Sequence, residues 1–173
     1  MIRLPKRRRL EAKTDYAKRI KLLKSNKPRL VFRKTNRYII AQYILSESAQ
    51  DKVSKGISSV ELLKYGWPAD MAGSLKSITA SYLTGYLMGS KIIKDKMETP
   101  IIDFGMIKMI HKTKTFAFLN GIIEAGVKIE CSKENFPEKE RITGKNLKKD
   151  FSKTFETIKL NISKKWKTKS TKI

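Results

Sequence analysis

The 173 residues hold one cysteine and one histidine. Cys131 has no partner within the chain for a disulfide and no neighbour at metal-ligand spacing, which points to a reducing compartment. A solitary His111 excludes a histidine-based triad and any multi-histidine metal centre. Nowhere do 18 apolar residues run together, so no membrane-spanning helix is expected. The opening MIRLPKRRRLEAK has the basic part of a signal peptide without an apolar stretch behind it. Phosphate-binding glycine loops are missing, because Gly85-x-x-x-Gly89 falls inside a predicted helix and lacks the following Lys-Ser/Thr. There are no internal repeats. Acid is scarce as well: 16 Asp and Glu stand against 39 Lys and Arg, a formal charge of +23.

That excess is concentrated at the ends. Residues 1–28 carry a net +9 and residues 145–173 a net +8, whereas 29–144 carry only +6. Self-repulsion on this scale disfavours compactness unless a polyanion neutralises it. The division expected is a basic arm with a short helix (1–28), an α/β domain (29–144), and a lysine-rich amphipathic helix and tail (145–173). Residues 1–13 have too few apolar groups to offset ordering entropy and are expected to be disordered until bound. Thr14 or Asp15 caps a helix to about Ser25, with Tyr16, Ile20 and Leu23 on one side.

Alternation over Arg29–Arg33 predicts a strand with Leu30 and Phe32 on one face and Arg29, Val31 and Arg33 on the other. Lys34-Thr35-Asn36 is a turn. A second strand is expected over Tyr38–Leu45 and a weaker third over Lys52–Ile57, with Val53 and Ile57 sharing a side. Short connections make these an antiparallel meander. Ser58-Ser-Val-Glu61 has capping-box spacing and opens a short helix that stops near Gly66. Trp67-Pro68 begins a loop. Leu75, Ile78, Tyr82, Leu83, Tyr86, Leu87 and Ile93 predict a long amphipathic helix from about Ser74, on which Gly85 and Gly89 allow another backbone to approach. Pro100–Gly105 reads as a short buried strand, and Thr115 caps a helix that ends at Gly126. The order implies a mixed sheet, a three-strand antiparallel meander plus a parallel strand, covered by helices. In the tail, Leu147, Phe151, Phe155, Ile158 and Ile162 mark one face of a helix from about Gly144 to Ser163. Lys164–Lys169 is expected to be a second disordered cationic stretch.

Catalysis has weak support. His111 lies among Lys108, Lys112 and Lys114 and reads as a loop residue near an anion. Asp103 is the best catalytic carboxylate on offer, but a two-metal nuclease needs three or four converging acids. The competing reading is a turn-stabilising Asp103 beside Gly105. Nucleic-acid binding is better supported. The arm supplies Arg3, Lys6, Arg7, Arg8, Arg9 and Lys13, and arginine forks pair bidentately with phosphates. Arg29, Arg33, Lys34, Asn36 and Arg37, with Tyr38 and Tyr43, combine charge, hydrogen bonding and stacking surface in the way RNA is read. Charge alone does not separate RNA from DNA.

Several segments in fixed order carry a resemblance. They are Lys27-Pro-Arg-Leu-Val31, Asn36-Arg-Tyr-Ile-Ile-Ala-Gln42, Lys64-Tyr-Gly-Trp67, and Ala80-Ser-Tyr-Leu-Thr-Gly85 with Gly89. Ile102-Asp-Phe-Gly105, Phe116-Ala117 with Gly121 and Ala125-Gly126, and Phe136-Pro-Glu-Lys-Glu-Arg141 with Gly144 follow. Together, over about residues 6–150, they resemble the universal large-subunit ribosomal protein family number eighteen, which binds 5S ribosomal RNA, in its archaeal form. The resemblance implies a ribonuclease H-like α/β domain without nuclease activity, and a basic extension and sheet surface lying on 5S RNA. It also implies docking in the central protuberance against 23S-type RNA and neighbouring ribosomal proteins. By position it carries RNA contact onto Arg7, Arg8, Arg9, Tyr16, Arg19 and Arg33, and onto Asn36, Arg37, Gln42, Tyr65 and Trp67. Trp67 also suits a core anchor. Ser77-Ile-Thr79 departs from the Asn-Thr-Pro of the archaeal pattern, and the tail after about Asp150 matches no part of it. No cofactor, metal or small-molecule substrate is expected. The rival readings are a metal-dependent nuclease using Asp103 and a membrane-surface protein using the cationic tail helix.

Overall fold

A computed structural model of the chain describes residues 4–48, 50–147 and 150–166. The arm forms a single turn, α1 (Arg7–Leu10), where disorder is expected from composition; it reverses at Ala12 (φ 49°) and leads into α2 (Tyr16–Lys24). The Asp15 carboxylate caps α2 by accepting the Lys18 N–H at 3.1 Å. Neither helix buries a residue.

β1 (Arg29–Lys34) and β2 (Ile39–Glu47) form a hairpin closed by Thr35, whose N–H donates to the Tyr38 carbonyl at 2.9 Å and whose hydroxyl accepts the Tyr38 N–H at 2.8 Å. β3 (Gln50–Ser58) completes the antiparallel meander. One expectation fails here. A register shift between Tyr43 and Ile44 leaves Ser54 unpaired, a bulge that turns Val53 onto the face opposite Ile57. Val53 is 47% exposed, and Ile57 is in the core.

Ser58 caps a 3₁₀ helix over Ser59–Tyr65 that Gly66 ends at φ 107°; a second 3₁₀ segment, Ala69–Ser74, occupies part of the expected loop. α3 (Ile78–Lys94) starts later than the apolar spacing suggests, because the Ser77 hydroxyl accepts the Ala80 N–H at 3.1 Å and fixes the N-terminus there. It is also buried nearly all round from Thr79 to Gly89 rather than amphipathic. The chain then crosses to β4 (Ile101–Asp103), parallel to β1, giving the sheet order β3-β2-β1-β4. As an edge strand β4 is half-buried, not buried.

α4 (Lys114–Glu124) has Thr113 at its N-cap position; Thr115, the expected cap, is inside the helix and buried. The two helices touch backbone to backbone. A Cβ on Gly85 would lie 2.1 Å from the Phe118 carbonyl oxygen, and one on Gly121 2.1 Å from that of Tyr82. Phe32 of β1 meets Phe118 at a ring-centroid distance of 4.8 Å, locking sheet to helix.

After α5 (Lys139–Thr143), the last helix α6 (Ser152–Trp166) begins eight residues later than its apolar stripe suggests, leaving Leu147 48% exposed. Phe151, Phe155, Ile158 and Ile162 are buried. Phe151 meets Trp67 at 4.9 Å and Phe155 meets Tyr82 at 5.4 Å, so the stripe packs on the body of the protein. Lys164, Lys165 and Trp166, expected to be disordered, continue the helix; 167–169 of that stretch lie outside the described residues.

Candidate nucleic-acid interface

Residues Arg29, Val31 and Arg33 of β1 point away from α3 and α4, and α2 lies over them. Between α2, β1 and the turn after β4 is a cleft of about 420 Å³. Arg8, Lys13 and Lys18 line it from the arm side, and Arg33 and Lys34 from the strand. Lys18 also donates to the Gly105 carbonyl at 3.2 Å, which ties α2 to the turn.

Arg29, at the floor, behaves differently from Arg33. It is 2% exposed; its guanidinium donates to Asp51 at 2.6 Å and Ser46 at 3.0 Å, and reaches Asp103 at 3.4 Å. Its position as an RNA-facing residue is therefore corrected: the register that sets Arg29 opposite Ile44 brings it beside the β2–β3 end, where Asp51 waits. Arg19 reaches the same Asp51 at 2.9 Å. Partial burial pushes the Asp51 carboxyl up, but hydrogen bonds from Ser46, Arg19 and Arg29, with the Arg29 charge, outweigh it and hold the pKa below the usual carboxylate value.

Each acid of the cleft thus has an internal task. Asp15 caps α2, Asp51 binds two arginines, and Asp103 accepts the Gly105 N–H at 2.8 Å while facing Arg29. The rim cations are left for something else. Among the described residues, Arg33 and Lys34 make no ion pair. Arg7 and Lys13 share Glu11 at 3.3 and 2.7 Å, exposed pairs worth about 0.2–1 kcal/mol that a phosphate can replace.

The residues expected at the interface separate into two groups. Arg8, Lys13, Arg19, Arg33 and Lys34 meet in the cleft. Arg7 and Arg9 are exposed on α1, Lys6 sits 4.5 Å above the Tyr16 ring, Asn36 and Arg37 cap the exposed hairpin tip, and Gln42 lies on the outer face of β2. Tyr65 and Trp67 are elsewhere, buried beneath α6: Asn161 donates to the Tyr65 carbonyl at 2.9 Å, Trp166 donates to its hydroxyl at 2.7 Å, and the Trp67 ring N–H donates to the Met71 carbonyl at 3.1 Å. Tyr38 is half exposed, but Tyr43 is in the core with its hydroxyl donating to the Glu98 carbonyl at 2.9 Å, which removes it as stacking surface. Arg3 lies outside the described residues. Lys18 and Asp51 were missed by the sequence reading. Only the strand register and the α2 crossing reveal them.

His111 is exposed, its ring stacked on Phe116 at 5.8 Å. The nuclease reading has no support, since both oxygens of Asp103 are engaged as just described. The apolar stripe of α6 is covered by the protein itself, so a membrane would have to undock the helix to use it. Among the described residues no helix is long and apolar enough to cross one.

Comparison with known proteins decides the family. The model for "Ribosomal large subunit proteins 60S L5, and 50S L18" matches residues 2–100, from the arm through α3. Over 141 residues the chain is 43% identical to the large ribosomal subunit protein uL18 of Korarchaeum cryptofilum (strain OPF8), covering 82% of this chain and 70% of that protein. The chain belongs to the uL18 family. It is a structural protein of the large ribosomal subunit, binds ribosomal RNA, and works in translation in the cytoplasmic ribosome. The uL18 family match ends before α4, so α4–α6 lie beyond the part that the family model describes.

Proposed function

We propose that the protein binds 5S ribosomal RNA and, with neighbouring ribosomal proteins, helps attach it to 23S-type RNA in the central protuberance, without catalysing a reaction. The observation that carries this reading is the cleft beneath α2, where the acids are consumed internally and the rim cations face outward. Phosphates entering it form charge-assisted bonds to Arg8 and Arg33 and replace the weak exposed pair of Lys13 with Glu11, and the hairpin tip with Asn36 and Arg37 extends the contact. The arm, with no buried side chain, reorganises at little cost as RNA binds. Tyr65 and Trp67 act from the far side by holding the loop before α3 in place. The meander followed by a crossover helix and a parallel strand supports a ribonuclease H-like description of the fold, used here as a platform.

Filter binding to 5S RNA across a salt series tests the proposal. Removing residues 1–13 is expected to weaken binding at least ~10-fold and to lower the salt slope, since each lost phosphate contact removes roughly 0.7–0.9 from it. Unchanged affinity would contradict it.

A further inference from the structure

A second groove opens round the edge of the sheet from the first. It has a volume of about 380 Å³ and ends at the N-terminus of α4. Lys34, Lys108, Lys112, Lys114 and Arg141 line it, and no acidic residue does. Its remaining lining is mostly apolar: Phe32, Ile78, Ile107 and Ile110. Three of its residues, Phe32, Lys34 and Ile107, also line the first cleft, so the two share a rim.

The cations here are crowded. Burial, and then the charges of Lys34 and Lys76, lower the Lys114 pKa from its usual value. Lys112 has a partner in Glu138 at 3.5 Å, but both side chains are exposed and the pair is correspondingly weak. Among the described residues Lys34, Lys108, Lys114 and Arg141 make no ion pair. The positive end of the α4 dipole adds the same sign, and Thr113 makes no side-chain cap there. Ile110 in the lining is 59% exposed, and Met106 and Met109 on the same loop are about half exposed. Like charges gathered over an apolar floor, with only the exposed Glu138 beside them, are unfavourable alone and suited to a polyanion with flat apolar faces. RNA has both, in its phosphates and its bases.

The geometry points to a continuous RNA track: the 5S RNA held in the cleft under α2 runs on over Lys34 into this groove, where Lys108, Lys112 and Lys114 bind its backbone. This rests on the reading that the protein binds 5S RNA. An acidic protein segment is the other polyanion of suitable size, but the shared rim with the first cleft favours the same RNA strand.

The test uses full-length protein, 5S RNA and a potassium chloride series, with the variant Lys108→Gln/Lys112→Gln/Lys114→Gln. The variant is expected to bind about 10-fold more weakly at 0.15 M salt and to show a salt slope lower by roughly 2, the loss for three phosphate contacts. The matching Lys→Arg variant keeps the charges and should restore both. Unfolding temperature, followed by circular dichroism, should not fall, because the exchange relieves repulsion; a fall would show the lysines to be structural and overturn the proposal. Parent-like affinity and slope in the Gln variant, the outcome if an acidic protein takes the groove, would overturn it while leaving 5S binding intact. Failure of the parent itself to bind 5S RNA would instead remove the reading on which it rests.

Discussion

Residues 1–28 and 145–173 carry net charges of +9 and +8, yet neither α1 nor α2 buries a side chain, whereas α6 buries Phe155, Ile158 and Ile162. Charge does not distinguish them; apolar spacing does. In the last segment large apolar groups recur every three or four residues, enough to make a full stripe. In the first, Tyr16, Ile20 and Leu23 are too few, and Ile20 is 53% exposed. The kind of cation differs as well. Residues 1–28 include five arginines and 145–173 none. Arginine's planar fork suits phosphate, whereas lysine stems cover apolar surface and keep their charge in water. Lys159 does this, lying 5.6 Å from the Tyr82 ring and pairing with Glu124. On the proposed reading one end is taken up by RNA, while the other closes the protein.

Truncation should widen that contrast most. Ending the chain at Asp150 removes four buried apolar side chains, each worth about 1.5–3 kcal/mol. The sum rivals the whole stability of a typical domain, ~5–15 kcal/mol. Loss of a cooperative thermal transition is expected, while deletion of 1–13 should shift the unfolding temperature by no more than ~2 °C. Phe155→Ala sharpens the same point with a single cavity, and urea denaturation should register a loss of about 3–5 kcal/mol. A much smaller loss would mean that α6 is only loosely seated.

Much of this was legible beforehand. The meander, a cap at Thr14 or Asp15, the stop at Gly66 and the close approach at Gly85 follow from local chemistry: strand alternation, a capping oxygen, and glycine where φ is positive or space is absent. The apolar stripe of the tail was legible too, but not what it covers. What resisted reading depends on long-range geometry. The bulge at Ser54 is set by pairing with β2, and no local signal turns Val53 outward. Ser77 delays α3 by ending the preceding turn, although the apolar positions from Leu75 onward fit a helix. Arg29 and Arg33 sit on one strand face and look equivalent until the fold brings Asp51 and Asp103 to only one of them. In the interface, sequence alone could gather the cations of the arm but could not divide them from Tyr65 and Trp67, which the fold sends to the opposite side.

Smaller effects test the arm's chemistry. Changing Arg7, Arg8 and Arg9 together to Lys preserves charge and removes the forks; 5S RNA affinity should fall by roughly 3–10-fold with little change in salt slope. Equal affinity would show that the arm acts as bare charge. The smallest effect concerns Asp51, which ties α2 to the sheet through Arg19. The Asp51 pKa is lowered on folding, so its ionised form contributes stability above the unfolded value of about 3.9 and loses it as pH falls through the folded value. Asp51→Asn should therefore be less stable than the parent near pH 7, with the gap closing below about pH 4. A gap independent of pH would mean that its ion pairs contribute nothing.

The division of labour between the two ends is tested most directly by ultraviolet crosslinking of the full-length protein to 5S RNA, followed by mass-spectrometric mapping of the crosslinked residues. Crosslinks are predicted within 6–37, on the arm, the cleft rim and the hairpin tip, and within 108–114 where the RNA runs on into the second groove, with none on α6. Crosslinks concentrated in 152–166, with the arm unmodified, would contradict it.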